Sequence, residues 1–214
     1  MKLGVFDSGI GGEAVAASLR VAFPDAHIIT VNDRGNVPYG DKPPAQVRRL
    51  TELALRPLLD GTCDVIILAC NTATAFAIEY LRAQYPIQQF IGIEPMIKPA
   101  AALTRTGIVA VCATPGTLAS TRYARLVQRY GSSLRILTPD CHEWAYWIEH
   151  NQLHRQHIAD TINMVCAQGA DVIVLGCTHY HWIKELITEL AAGRAVVLEP
   201  SEAIGDRVAH IVKI

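Results

Sequence analysis

The chain carries one pattern of hydrophobic and polar positions twice. The first copy runs from Cys63 to Thr72, and the second from Ala170 to His179. Each contains an aspartate, a short and mainly β-branched apolar run, a small residue, a cysteine and then hydroxyl or amide side chains. A continuous apolar run between polar residues is typical of a strand buried on both faces of a parallel sheet. Each cysteine therefore falls at the carboxyl end of a predicted strand, where open α/β sheets bind ligands.

Other strand signals recur in the same order in the two halves of the chain. Besides the two cysteine strands, we predict strands at residues 2–6, 26–31, 89–95, 107–113, 134–137 and 196–200. Helical patterns in the first half cover residues 13–23, 44–59 and 73–84. The order predicts an α/β fold with two similar, mostly parallel-sheet domains.

We place these predicted domains at residues 1–97 and 98–214, with the last helix able to pack back on the first domain. A pseudo-twofold axis between two such domains would make Cys70 and Cys177 line one cleft from opposite sides. The repetition predicts this arrangement, because equivalent strands offer equivalent cysteines.

Composition narrows the classes of function. The 214 residues are 50% hydrophobic and carry a net charge of −1, which favours a sizeable core and argues against a nucleic-acid or anionic-membrane surface. No apolar run approaches the roughly 20 residues that span a bilayer, and the amino terminus has no signal-peptide pattern. Several of the six cysteines lie in apolar strands, which favours reduced thiols in the cytoplasm, and their spacing argues against a metal site.

Two thiols on opposite sides of a polar pocket suit the inversion of a stereocentre. One group must remove a weakly acidic C–H proton while another returns a proton to the opposite face. A cysteine can do either, with a reference pKa of about 8.5. Asp7 and His179 are candidates for adjusting the two thiols. Six further side chains could hold the carboxylates and ammonium of an amino acid: Ser8, Asn71, Thr72, Thr114, Thr117 and Thr178.

Four segments resemble the aspartate/glutamate racemase family, most of all the bacterial glutamate racemases. They are FDSGIGG at 6–12, VPYG at 37–40, ACNTA at 69–73 and LGCTHY at 175–180. The resemblance implies proton transfer at Cα of glutamate, without a cofactor, by a cytoplasmic enzyme that supplies D-glutamate for peptidoglycan. It implies an amino acid as the small-molecule partner, with neither nucleic acid nor membrane, and allows a homodimer.

The resemblance also assigns residues. Cys70 and Cys177 match the two catalytic cysteines, and Glu149 falls where the family carries an acid near the second thiol. Substrate-contact positions are matched by Asp7, Ser8, Tyr39, Gly40, Asn71, Thr72, Thr178 and His179, and a similar Thr-x-x-Thr turn contains Thr114 and Thr117. The chain departs from the family in two places. It has His181-Trp182 where Pro-Leu is frequent, and Glu199-Pro200-Ser201 where Asp-Ser-Gly is usual.

Two alternatives remain open on the sequence. One is an aspartate racemase, or a racemase of relaxed specificity in another biosynthetic pathway. The other is a non-catalytic protein that binds an amino acid on the same fold. Three other cysteines lack a matching partner and are interpreted as packing residues: Cys112, Cys141 and Cys166.

Overall fold

The computed structural model of the protein describes residues 1–212, apart from the side chain of Glu202. Eight strands lie within the described residues. They are β1 Lys2–Asp7, β2 His27–Asn32, β3 Val65–Leu68, β4 Gln89–Gly92, β5 Ile108–Ala113, β6 Arg135–Leu137, β7 Val172–Gly176 and β8 Val196–Leu198.

Helices connect the strands. The α-helices are α1 Gly11–Ala22, α2 Pro44–Asp60, α3 Asn71–Gln84, α4 Ile97–Leu103, α5 Pro115–Leu118, α6 Thr121–Tyr130, α7 Trp144–Glu149, α8 Arg155–Ala167, α9 Lys184–Ala191 and α10 Ser201–Val212. Two short 3-10 helices cover Arg34–Asn36 and Thr178–Ile183. Among residues 1–212, no helix combines the length and the apolar character needed to cross a membrane.

The chain forms two compact units with the same sheet topology. The first unit contains Met1–Glu94 and the segment that begins at Pro200, and the second contains Pro95–Glu199. The strand order is β2-β1-β3-β4 in one sheet and β6-β5-β7-β8 in the other, and every pair is parallel. The predicted α/β fold with two similar parallel sheets is confirmed.

Helices cover both faces of the first sheet, which explains the unbroken apolar run of β3. Val65 and Ile67 face a cluster that includes Ile204 and Val208 of α10. Ile66 and Leu68 instead join a cluster with residues of α2 and α3. Burying one such aliphatic side chain stabilises the fold by about 2 kcal/mol. Because β3 must be apolar on both faces, its polar residues are confined to its ends.

The aspartate of each repeat secures the amino end of its sheet. Asp64 accepts a hydrogen bond from the Lys2 backbone N–H at 2.7 Å. Asp171 accepts bonds from the Thr104 hydroxyl at 2.5 Å and the Arg105 backbone N–H at 2.7 Å. Each carboxylate thus ties a cysteine strand to the chain that enters the neighbouring strand, so these two aspartates lie at the edge opposite the cysteines.

Several element boundaries differ from the sequence prediction, among them those of α3 and β4. Helix α3 begins at Asn71 rather than near Ala73, because the Cys70 sulfur accepts the Ala73 N–H and serves as the helix cap. Strand β4 ends at Gly92 rather than Pro95. An added Cβ at Gly92 would lie 2.5 Å from Thr74 Cγ2, so β4 passes too close to α3 for any larger residue.

We therefore expect Gly92→Ala to destabilise the first unit by about 1–3 kcal/mol through overpacking. Thr74 cannot move away easily, because it is fully buried and its hydroxyl donates to the Leu68 carbonyl at 3.2 Å. The matched control is Gly35→Ala, where an added Cβ meets nothing within 4 Å. Denaturant unfolding of both variants measures the difference. Equal stabilities would contradict the close approach of β4 to α3.

His181 is a buried histidine whose protonation is disfavoured in the folded protein. Its side chain is 5% exposed, and neither ring nitrogen has a hydrogen-bond partner among the described residues. Burial lowers the pKa of His181 from 6.5 to about 4. The unfolded chain therefore binds a proton at a pH where the folded protein does not, and stability falls as the pH falls through this window.

We expect this histidine to remove about 3 kcal/mol from the free energy of unfolding between about pH 6.5 and about pH 4. His181→Gln removes the titrating group and should flatten that part of the pH dependence. His150→Gln, which replaces an exposed histidine, is the control for the substitution itself. Urea unfolding at several pH values tests the difference in slope, and parallel pH profiles for the wild type and His181→Gln would refute it.

Candidate active site

Cys70 lies at the carboxyl edge of the first sheet, beside the residues that follow β1. Phe6 of β1 is opposite Leu68 of β3, and the Ala69 N–H donates to the Phe6 carbonyl at 2.7 Å. This register brings Ser8 Oγ to 3.3 Å from Cys70 Sγ. Cys70 is 5% exposed. The parallel pairing of β1 and β3 therefore positions a hydroxyl against the first thiol.

The start of α3 supplies a second polar partner for the Cys70 sulfur. The Ala73 N–H donates to Cys70 Sγ at 3.4 Å. A helix amino terminus carries partial positive charge, and a donor aimed at a sulfur stabilises the thiolate over the thiol. Cys70 thus has an environment in which negative charge on sulfur is favoured.

Three further predicted contact residues, Asp7, Asn71 and Thr72, lie in the same unit as Cys70. Asp7 is fully buried and accepts the Gly9 N–H at 2.8 Å. Asn71 is 4% exposed, and neither its amide oxygen nor its amide nitrogen has a hydrogen-bond partner among the described residues. Thr72 is also buried in the first turn of α3. A buried amide without partners is costly, so Asn71 has two hydrogen-bonding groups for a ligand to satisfy.

Tyr39 is held by a residue that the sequence analysis did not select. Its hydroxyl donates to Asp33 Oδ2 at 2.7 Å, and Asn36 Nδ2 donates to the same carboxylate. Burial, and then the hydrogen bond to Asp33, raises the pKa of Tyr39 well above its ordinary value, so the phenol stays neutral. Gly40 follows as a buried residue. Asp33 could have been selected from the sequence by its position directly after β2, because the last residue of β2, Asn32, pairs with Asp7.

Cys177 lies at the carboxyl edge of the second sheet and has different partners. Gly176 of β7 is opposite Ala113 of β5. Cys177 Sγ is 3.9 Å from His179 Nδ1, and His179 Nε2 is 2.8 Å from Glu149 Oε2. The His179 and Glu149 side chains are only 3% and 5% exposed. An ionised Glu149 can only accept, so it keeps a proton on Nε2 and leaves Nδ1 able to take the thiol proton.

Helix α7 fixes the position of Glu149. Trp144 is fully buried, and its ring meets Tyr180 edge-on with centroids 5.3 Å apart. The Trp144 indole N–H donates to His157 Nδ1 at 3.2 Å. The Tyr180 hydroxyl donates to the Cys141 carbonyl at 2.7 Å. Glu149 is thus the last residue of a helix that is fixed by Trp144, which contacts both Tyr180 and His157.

The remaining predicted contacts follow β5 and β7. Thr114 caps α5 by accepting the Thr117 N–H at 3.3 Å, and the two hydroxyls are 3.0 Å apart. Thr178 is 1% exposed at the start of the 3-10 helix. Since Ala113 and Gly176 are paired, Thr114 and Cys177 leave adjacent strands at the same edge of the sheet.

The predicted residues thus fall into two sets, one in each unit. The first unit contains Asp7, Ser8, Tyr39, Gly40, Cys70, Asn71 and Thr72, and the second contains Thr114, Thr117, Glu149, Cys177, Thr178 and His179. All six cysteines are thiols rather than members of a disulfide. Within residues 1–212, no group of three or more His, Cys, Asp or Glu side chains could hold a metal ion.

Comparisons with known proteins show the family to which the chain belongs. A model of the Asp/Glu/Hydantoin racemase family matches residues 13–204. The chain is 37% identical to the glutamate racemase of Ectopseudomonas mendocina (strain ymp), over 98% of this chain and 81% of that protein. It superposes on the crystal structure of Escherichia coli glutamate racemase in complex with L-glutamate and the activator UDP-MurNAc-ala with a TM-score of 0.85 and 26% identity, covering 99% of this chain and 82% of that one.

A second solved structure gives the same result. Glutamate racemase from Aquifex pyrophilus superposes with a TM-score of 0.78 and 31% identity, covering 98% of this chain and 83% of that chain. The chain therefore belongs to the Asp/Glu/Hydantoin racemase family, a family of isomerases, and within it resembles the bacterial glutamate racemases.

Proposed function

We propose that the protein interconverts L- and D-glutamate without a cofactor, with Cys70 and Cys177 as its two acid–base groups. The observation that carries the proposal is the equivalent placement of the two cysteines. Each follows the same central strand of a topologically identical sheet, and each has its own polar partners. Family membership supports proton transfer at a stereocentre, and the glutamate racemases similar to this chain support glutamate as the substrate.

The proposed reaction is a proton transfer across Cα. The thiolate of one cysteine takes the α-proton and becomes a thiol, which leaves the electron pair on Cα and the adjoining carboxylate. The thiol of the other cysteine then donates its proton to the opposite face and becomes a thiolate. The next substrate of opposite configuration restores the starting state, so no net proton is gained or lost.

In this proposal, different neighbouring groups activate the two cysteines for proton transfer. For Cys70, the Ala73 N–H and the Ser8 hydroxyl stabilise negative charge on sulfur. For Cys177, His179 exchanges the proton and Glu149 keeps the imidazole oriented. Because Glu149 acts through His179, it is a positioning residue in this proposal, while the cysteines are the catalytic residues.

Substrate binding is assigned to the polar groups at the two sheet edges. Asn71 offers an amide with unmet hydrogen-bonding groups, and Thr72 and the first turn of α3 offer further donors. Thr114, Thr117 and Thr178 offer hydroxyls in the second unit. Donors that hold the α-carboxylate would also stabilise the charge that develops there in the transition state.

The resemblance to bacterial glutamate racemases also supports a proposal for the role of the protein in the cell. The D-glutamate would supply peptidoglycan synthesis, and the enzyme would act in the cytoplasm on a free amino acid. A homodimer stays a prediction.

The test of the proposed function replaces each cysteine by serine. We expect Cys70→Ser and Cys177→Ser each to slow racemisation of glutamate about a thousandfold, because a hydroxyl is far less acidic than a thiol. The control is Cys166→Ser, a change on α8 that lies in neither set of site residues. Chiral chromatography of L-glutamate, D-glutamate and L-aspartate reactions measures the rates. Near-wild-type turnover in both directions by either site variant would refute the mechanism, and faster turnover of aspartate would refute the substrate.

A second test concerns Asn71. We expect Asn71→Ala to raise KM for glutamate about tenfold, because it removes a hydrogen bond to a charged group. The free energy of unfolding without substrate should stay unchanged or rise, since the lost amide has no partner in the folded protein. Asn163→Ala, which removes an exposed amide that accepts from Arg194, is the control. A loss of stability with an unchanged KM would instead show that Asn71 is structural.

A further inference from the structure

The 3-10 helix Thr178–Ile183 directly follows Cys177 and includes His179. It has only six residues, and its backbone hydrogen bonds are of the i to i+3 kind, as from the Tyr180 N–H to the Cys177 carbonyl, whose alignment is poorer than in an α-helix. The side chain of Cys177 forms no cap hydrogen bond with it. The position of this helix therefore depends on the side chains that attach it to the rest of the second unit.

Two of these attachments are short and buried. His179 bonds to Glu149 at 2.8 Å, and the Tyr180 hydroxyl bonds to the Cys141 carbonyl at 2.7 Å. Both lie in the first half of the helix. The second half of the helix continues directly into α9.

Glu199 contacts residues at the end of this helix and at the start of α9. Its Oε1 accepts a hydrogen bond from Lys184 Nζ at 3.3 Å, and Lys184 is the first residue of α9. Its Oε2 lies 3.7 Å from Nε2 of His181. Glu199 comes directly after β8, and β8 pairs with β7, the strand that leads into Cys177. One carboxylate thus reaches from the neighbouring strand to both sides of the helix end.

His181 packs beneath this carboxylate as a neutral group at pH 7. Burial lowers its pKa to about 4, against the opposing effect of Glu199, and Lys184 and His179 lower it further. The electrostatic part of the attachment is therefore the bond between Lys184 and Glu199. The two sequence departures from the family pattern, at His181 and at Glu199, are in contact with each other in the structure.

We infer that Glu199 is a positioning residue for Cys177. By its hydrogen bond to Lys184 and its packing against His181 it holds the end of the 3-10 helix, and so keeps His179 against the thiol. The contact between Cys177 Sγ and His179 Nδ1 is already long at 3.9 Å, and a small displacement of the helix breaks it. The inference deepens the proposed function and rests on it for the role of Cys177.

The decisive variant is Glu199→Gln, which keeps the size of the side chain and removes its charge. The readout is the alkylation of Cys177 and Cys70 by iodoacetamide in the substrate-free protein, quantified by mass spectrometry of the two peptides. Rates at about pH 7 and about pH 10 bracket the reference pKa of a thiol, so their ratio reports the fraction ionised at pH 7 and cancels changes in access.

We expect this ratio to fall about threefold for Cys177, because Lys184 is half exposed and its ion pair with Glu199 is correspondingly weak, and to stay constant for Cys70 in the same molecules. The matched control is Asp171→Asn, which removes a hydrogen-bonded carboxylate at the other end of β7. It should lower stability and leave both ratios unchanged. An unchanged Cys177 ratio in folded Glu199→Gln, or an equal fall for Asp171→Asn, overturns the inference.

Lys184→Met removes the other partner of the same bond and provides a second test if Glu199→Gln does not fold. It should also lower the Cys177 ratio, and a constant ratio would contradict the inference.

Kinetics separate this inference from the proposed function. Glu199→Gln should lower kcat and leave KM for glutamate unchanged. A wild-type protein that does not racemise glutamate would refute the proposed function. In that case the alkylation ratio would still decide the role of Glu199.

Discussion

Parallel pairing of the two central strands in each sheet is the constraint from which the site residues take their positions. In the first unit β1 pairs with β3, and in the second β5 pairs with β7. A parallel pair brings both carboxyl ends to one edge, so Ser8 meets Cys70 and Thr114 leaves the sheet beside Cys177. Because helices cover both faces of such a sheet, this edge is where polar groups can gather without disturbing the core.

The two cysteines occupy equivalent positions but are stabilised differently. Cys70 caps a helix of 14 residues and receives a backbone N–H. Cys177 is followed by a short 3-10 helix and depends on His179 and Glu149. A backbone donor is fixed by the helix itself, whereas an imidazole must be held by other side chains. We therefore expect the second cysteine to depend on more distant residues, and the proposed role of Glu199 follows from this difference.

Sequence patterns predicted the elements that depend on local composition. The apolar run of β3 and the cysteine after it could be predicted, since burial on both faces leaves few choices of residue. The start of α3 was placed two residues late, because a cysteine sulfur is an uncommon cap. Asp33 was missed because its bond to Tyr39 spans an irregular loop. The contact between His181 and Glu199 joins residues that no periodicity links.

Solvent deuterium tests the two-cysteine account most directly. Proton NMR and chiral analysis of a reaction of L-glutamate in D2O should follow the first turnovers, without added cofactor. The account predicts that D-glutamate carries deuterium at Cα as soon as it forms, while unreacted L-glutamate still carries hydrogen, because one cysteine removes the proton and the other delivers a different one. D-glutamate that retains the original hydrogen would show a single base acting on both faces. An absence of both inversion and exchange in folded, reduced protein would contradict the account altogether.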